Sequence, residues 1–450
     1  MSRGAPSRRT SRRWRALGHA NGERTLRLRR RVAVLAGAVA IGICAALFAW
    51  SADAAGVLFD RWSRLSSWAP LVVTPLAFIA LVWLTRRFAP MARGSGIPQV
   101  IAAAEVPARE GALLGVRTVL AKVVLTVAAL LGGASVGREG PTVQLAGAVM
   151  SFTHRLLRVE LSRPVIIAGG AAGVAAAFNT PLAGLLFAIE ELAASYEQRV
   201  TLLVLSAIVI AGMIAQGLQG DYVYFGNVGA HLPLSGALLA VPVAGVVGGL
   251  AGGGFSRALL ALSLGGHRWV DAWRARPLLV AGGCGVVVGI LGVTTGLTWG
   301  TGYSAARAMI DGVHAPLWFG PAKFAASLAT AASGLPGGIF APSLAVGAGV
   351  GNLLHALLPG QPAGAVVILG MVAYFTGVVR APLTAVVILS ETTASHGLLL
   401  PMFAAAFIAD GTSQLVCREK LYHALTRPFR IPAAAQDRAR KGGAEVDPAS

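Results

Sequence analysis

Apolar runs recur along almost the whole chain, and glycine and proline keep interrupting them. Val32 to Trp50, Leu71 to Leu84 and Leu278 to Leu291 are three examples. A membrane-spanning helix needs ~20 mostly apolar residues. Only 13% of this chain is charged and 55% is hydrophobic, whereas charged residues supply about a quarter of a soluble domain. The bilayer is therefore the solvent for most of the chain. In lipid, free backbone N–H and C=O groups are costly, so broken helices survive only inside protein or along a cavity. With 57 Gly and 23 Pro, the pattern predicts an all-α membrane protein of the transporter or channel kind rather than a simple bundle.

Charge gathers at the ends. The net charge is +19, and the first 31 residues carry eleven Arg against one acid, Glu23. The tail from Arg418 holds five Arg and two Lys against four acids. Basic flanks stay on the cytoplasmic side, beside an anionic leaflet, so both termini are expected to be cytoplasmic and no nucleic-acid partner is expected. Cys44, Cys284 and Cys417 lie far apart in apolar contexts, which fits neither a disulfide framework nor a metal site.

The chain also resembles itself at an offset of 201 residues. Gly137-Arg138-Glu139-Gly140-Pro141 aligns with Gly338-Ile339-Phe340-Ala341-Pro342, and Pro181-Leu182 with Pro382-Leu383. The same shift pairs Lys122 with Lys323, Gly133 with Gly334 and Glu190 with Glu391. The expected organisation is a basic arm (1–31), a first membrane repeat (32–218), a linker (219–234), a second repeat (235–424) and a short cytoplasmic tail (425–450). In both halves a glycine-rich turn leads into a helix with proline in its first turn, where the missing N–H had no partner to lose. Two such helix starts within a membrane present free N–H groups and positive dipole ends, which is an anion site built from backbone. The competing reading is that the glycines only allow close helix packing.

Individual residues sharpen this picture. Gly94-Ser95-Gly96-Ile97-Pro98 offers a hydroxyl in an open backbone. Glu139 sits between two glycines at a helix start, either as a cap favoured by the dipole or as a movable anion occupying a substrate's place; an intramembrane acid is functional by default. Gly337-Gly338-Ile339-Phe340 offers successive amides with no acid. Tyr422 follows the last apolar run, where an interfacial anchor is expected. Glu190 and Glu191 end an apolar helix, either as a proton relay or as charges at a wet rim. Lys122 and Lys323 either raise the local potential or pair with acids.

These motifs resemble those of the CLC chloride channel and transporter family. Gly-Ser-Gly-Ile-Pro, Gly-Arg-Glu-Gly-Pro and Gly-Gly-Ile-Phe-Ala-Pro occur in order, with Ala177-Phe178-Asn179-Thr180-Pro181-Leu182-Ala183-Gly184 between the last two. The resemblance runs from about Gly94 to Tyr422. It implies two inverted-topology repeats of tilted and partial helices, a pathway in each subunit of a homodimer, and a place in a bacterial inner membrane. It also implies a central chloride held by the hydroxyls of Ser95 and Tyr422 and the amides of Ile339 and Phe340. An outer anion would rest on the amides of Arg138 and Gly140. Glu139 would be the gate, and Glu191, with Glu190 beside it, would transfer protons from the inner side.

Chloride and protons are then the substrates of an antiporter, with no cofactor and no metal. Gln99 stands where the family commonly has an acid. Ser95 favours chloride over fluoride. A passive chloride channel of the same fold is the first alternative. A remote one is an intramembrane serine hydrolase using Ser333 with His355 or His396.

Overall fold

A computed structural model describes residues 8–192, 202–220, 224–226, 232–266, 268–313, 315–393 and 395–431. Half of the expected linker (221–223 and 227–231), the first seven residues and the tail from 432 lie outside the described residues. Among the described residues the chain is helical, with only isolated β-bridges. One helix runs from Arg8 to Leu65, so the basic segment, from residue 8 on, continues directly into the first membrane span.

Six of the described helices are long and apolar enough to cross a membrane. Pro70–Phe88, Pro277–Thr295 and Leu399–Val416 are mostly exposed, as lipid-facing helices must be, whereas Phe340–Leu357 is largely buried in protein. Shorter helices fill the interior. Arg163–Phe178 and Ala363–Val379 are buried along nearly their whole length. Both are apolar on every side, the pattern of a core helix. Small residues set their spacing: a Cβ on Gly347 would come within 2.7 Å of the Met371 Cα, so the Phe340–Leu357 and Ala363–Val379 backbones nearly touch. That is how helices associate in lipid, where no hydrophobic drive separates helix from solvent.

The repeat is a structural fact. The helices Glu139–Leu156 and Phe340–Leu357 begin 201 residues apart and are both 18 residues long. Gly137 N–H donates to Gly338 O (2.8 Å) and Gly338 N–H donates to Gly137 O (2.7 Å). A reciprocal pair of this kind places a pseudo-two-fold axis between the two glycines. A second reciprocal contact lies around the same relation. The Glu190 carboxylate accepts from Leu383 N (3.0 Å), Thr384 N (2.7 Å) and Thr384 Oγ1 (2.6 Å) at the start of Pro382–Thr393. The Glu391 carboxylate accepts from Leu182 N (3.3 Å) and Ala183 N (3.0 Å) at the start of Pro181–Phe187. Each half thus satisfies orphan amides of the other.

The buried lysines follow the same symmetry. Lys122 Nζ donates to Ala92 O (2.7 Å) and Gly94 O (2.5 Å). Lys323 Nζ donates to Thr298 O (2.9 Å) and Gly300 O (2.8 Å). Acid pairing, one of the two expectations, is replaced by carbonyl binding. Each ammonium clamps a glycine loop ahead of a short helix, Ile97–Glu105 or Tyr303–Ile310. The loops match at an offset of 206: Gly94 and Gly300 have φ of 70° and 55°, and Gly96 and Gly302 have 112° and 82°. These values lie in the left-handed region that glycine tolerates.

Candidate anion pathway

The fold brings three glycine-containing turns together at the middle of the molecule. Gly337 N–H donates to Gly94 O (3.0 Å), and Gly94 N–H donates to Leu335 O (3.1 Å). The Ser95 loop is thereby stitched to the turn before Phe340, while Gly137 and Gly338 stitch that turn to the one before Glu139. A Cβ on Gly140 would collide with the Ser95 hydroxyl, and one on Gly338 would lie 2.9 Å from Gly140 N. Only glycine permits this approach, and it points two helix N-termini at one place.

Four side chains or amides foreseen as a set converge there. Ser95, Ile339 and Tyr422 line one cavity of about 440 Å³. The Phe340 and Tyr422 rings lie 5.8 Å apart, and Phe178, Phe187 and Phe375 pack around Phe340 at 5.0–6.0 Å. This cluster locks the start of the Phe340–Leu357 helix. Tyr422 is fully buried, so it is not an interfacial anchor. The Ser95 and Tyr422 hydroxyls are close to one another, yet neither makes a hydrogen bond of normal geometry to a protein group. Buried hydroxyls are normally satisfied. Two that are not lie beside first-turn amides with no intrahelical partner, so hydroxyl and amide donors gather at one place. Arg86, Arg93 and Arg274 line the same cavity, which gives it a positive field.

Glu139 is fully buried on the other side of this point. It is the first residue of its helix, and its Oε1 accepts a hydrogen bond from Tyr303 Oη (2.7 Å). Its Oε2 packs over Gly137, where a Cβ would collide with it. The carboxylate also lies within reach of its own amide and that of Ala341, so it occupies space between the two helix starts. Arg138 turns its guanidinium to Ala49 O (2.7 Å), Asp53 (2.7 Å) and Tyr224 Oη (2.6 Å). Tyr224 and Phe225 stack beside Tyr303 with centroids 5.0 and 5.5 Å away.

The family model of the voltage gated chloride channel matches residues 76–414. The chain belongs to this family. Solved structures agree with the fold. "X-ray crystal structure of a slow cyanobacterial Cl-/H+ antiporter" matches with 25% identity and a TM-score of 0.78, covering 91% of this chain and 99% of that one. "Crystal structure of a CLC-type fluoride/proton antiporter" matches at 22% and 0.74, covering 87% and 96%. "Crystal Structure of a eukaryotic CLC transporter" matches at 22% and 0.70, covering 89% and 74%. This is a chloride-transport protein of the CLC family, a multi-pass membrane protein with the inverted-repeat fold.

Within this CLC chain the two neighbouring acids differ sharply. Glu190 is held by amides of the second repeat, as described above. Glu191 is fully buried on a π-helical turn, Ala188–Leu192, so it is not a rim charge; π-turns are frequent at functional sites. Its Oε1 lies 3.2 Å from His423 Nδ1, and its Oε2 lies 3.9 Å from Lys420 Nζ. Tyr422 is within electrostatic reach of both Glu191 and Glu139. Gln99 uses its amide to bind Met91 O (3.1 Å) and Arg93 O (2.7 Å), a local loop brace.

Among the described side chains the hydrolase alternative finds no dyad. Ser333 Oγ donates to Thr330 O (2.7 Å) at a helix end. His355 sits in the last turn of the helix that starts at Phe340, roughly 22 Å along it at 1.5 Å per residue. The side chain of His396 lies outside the described ones. Among the described residues there is no metal-binding cluster.

Sequence reasoning missed two partners, Tyr303 and His423. The first had a signal: Gly300-Thr301-Gly302 repeats Gly94-Ser95-Gly96, but at 206 rather than 201 residues. The second had none, because only folding brings Leu421–Leu425 against the π-turn.

Proposed function

We propose that this protein exchanges chloride for protons. Ser95, Tyr422 and the amides of Ile339 and Phe340 hold a central chloride. The amides of Arg138 and Gly140 hold an outer one when the Glu139 side chain leaves. Ionised Glu139 competes with chloride for the helix N-termini. Protonation removes its charge and the reason for it to stay, so one proton taken up accompanies one anion admitted. Glu191 delivers the proton from the inner side, past Tyr422, while Glu190 stays fixed as a brace between the repeats.

The observation that carries this reading is the placement of Glu139: a buried carboxylate on one of two facing helix starts, with partnerless hydroxyls opposite. A passive channel needs no second buried acid on the inner side, and Glu191 therefore favours exchange. The likeness to a chain titled a Cl-/H+ antiporter supports the same conclusion. We further infer a homodimer with one pathway per subunit, in a bacterial inner membrane with both termini cytoplasmic. The placement of Arg86, Arg93 and Arg274 in the lining of the cavity fits the positive-inside rule.

The test is simultaneous recording of chloride and proton movement in vesicles containing the purified protein. A chloride gradient should drive protons uphill. Chloride movement with no proton signal would make the protein a channel.

A further inference from the structure

The exchange reading leaves Glu191 fully buried, with no stated route for protons from water. We propose that His423 is the proton entry port, loading Glu191 from the cytoplasmic solvent; this rests on the exchange reading.

The geometry is that of a relay. The His423 ring nitrogen Nδ1 lies 3.2 Å from Glu191 Oε1, and the His423 side chain is 28% exposed while that of Glu191 is 0% exposed. One group therefore bridges solvent and the buried acid. The other groups around Glu191 are poorly suited to the task. Lys420 is committed to Glu190 O, to which it donates (2.9 Å). Glu190 is committed to the amides of Leu383 and Thr384. The acids and cations on elements packed against Leu421–Leu425 have their own partners: Glu105 pairs with Arg430 (2.6 Å) and Glu419 with Arg427 (2.7 Å). Beyond these, the Leu234–Leu264 helix contributes Arg257, and Ala363–Val379 contributes only the phenol of Tyr374. Glu191 is the charged group in contact with the imidazole. Histidine is the side chain whose ordinary range of titration falls between about pH 5 and 8.

The step balances. The ring takes a proton from water on Nε2 while Nδ1–H faces Glu191. It passes the Nδ1 proton to Oε1, so imidazolium and carboxylate become imidazole and carboxylic acid together. Glu191 then gives that proton onward; with the partly exposed ring turned to water, Nδ1 takes up a proton and Nε2–H releases one, which restores the Nδ1–H form. Tyr422 follows Leu421 and precedes His423 in sequence, so the port lies one residue from the central anion site. Proton entry and chloride then share one short helix but not one mouth.

The experiment uses the full-length protein in vesicles with pH set independently on the two sides. Wild type, His423→Gln and His423→Ala are compared by proton-to-chloride ratio, and calorimetric chloride binding checks that each variant is folded. His423→Gln should lower the ratio on the order of tenfold and flatten its dependence on inner pH. Imidazole added on the inner side should restore proton movement in His423→Ala. An unchanged ratio and pH profile in His423→Gln would overturn the assignment while leaving exchange intact. A lower ratio with the wild-type pH profile and no imidazole rescue would mean a structural role and would overturn it too. If wild type moves chloride without protons, the exchange reading fails and the port fails with it.

Discussion

The two helix starts at the centre of this molecule share a backbone and differ in one residue. Glu139–Leu156 opens on a carboxylate; Phe340–Leu357 opens on a phenyl ring held in an aromatic cluster. Both follow a glycine turn, and the two turns bond reciprocally through Gly137 and Gly338. The backbone makes two equivalent places for negative charge, and the side chains make them unequal. One place holds a carboxylate of the protein itself, while the other has no acid and is the one proposed for an anion.

The same contrast separates the remaining polar groups. Lys122 and Lys323 match at the repeat offset, as do Glu190 and Glu391, and all four bind backbone of a loop or helix start. Glu139 and Glu191 have no such match: Phe340 and Thr392 stand in their places. Symmetric polar residues hold the scaffold. The unmatched acids line the route assigned to protons. Charged groups that are buried for structure need fixed partners. A proton carrier needs the opposite, a partner it can exchange.

Substitutions test that division. The largest effect is expected for Glu139→Ala, which should reduce chloride-driven proton uptake by about a hundredfold or more while chloride still moves, as read by paired flux recording. Retained coupling would break the distinction at its strongest point. Next, Glu190→Ala leaves two helix-start amides without their charged acceptor, which costs roughly 2–4 kcal/mol. Thermal unfolding in detergent should reveal this, and the coupling ratio of surviving protein should hold. A changed ratio with unchanged stability would move Glu190 into the relay.

Smaller effects concern the anion itself. Ser95→Ala and Tyr422→Phe should each weaken chloride binding by about 1 kcal/mol, roughly fivefold, the net worth of one hydrogen bond; calorimetry measures it. Unchanged affinity in both would remove the central site. The smallest change is expected from Tyr303→Phe, which deletes the 2.7 Å hydrogen bond that holds Glu139. The gate should loosen, and chloride flux should rise about twofold to fivefold, within the range of a single hydrogen bond. A fall in flux would mean that Tyr303 steadies the open pathway rather than the closed one.

Much of the scaffold was legible because lipid imposes a strict rule on backbone. Interrupted apolar runs, first-turn prolines and paired glycines report where helices begin and break. The 201-residue offset in Gly137, Gly338, Pro141 and Pro342 therefore foretold the two facing helix starts and the residues on them. Legibility stopped where the offset changed to 206, which hid the match between the Ser95 and Gly300 loops, and with it Tyr303. It also stopped at Lys122 and Lys323, whose carbonyl partners belong to loops that sequence spacing does not locate.

By itself, then, the amino-acid order settled the solvent, the helical class, the duplication and the family, since each depends on local periodicity or on short motifs. Tertiary structure alone decided which of two adjacent acids is braced by backbone amides and which faces an imidazole: Glu190 and Glu191 point in different directions from one π-turn, toward Leu383 in one case and His423 in the other. Those partners lie roughly 190 and 230 residues away along the chain, and contacts at that range follow from packing, not from neighbouring sequence.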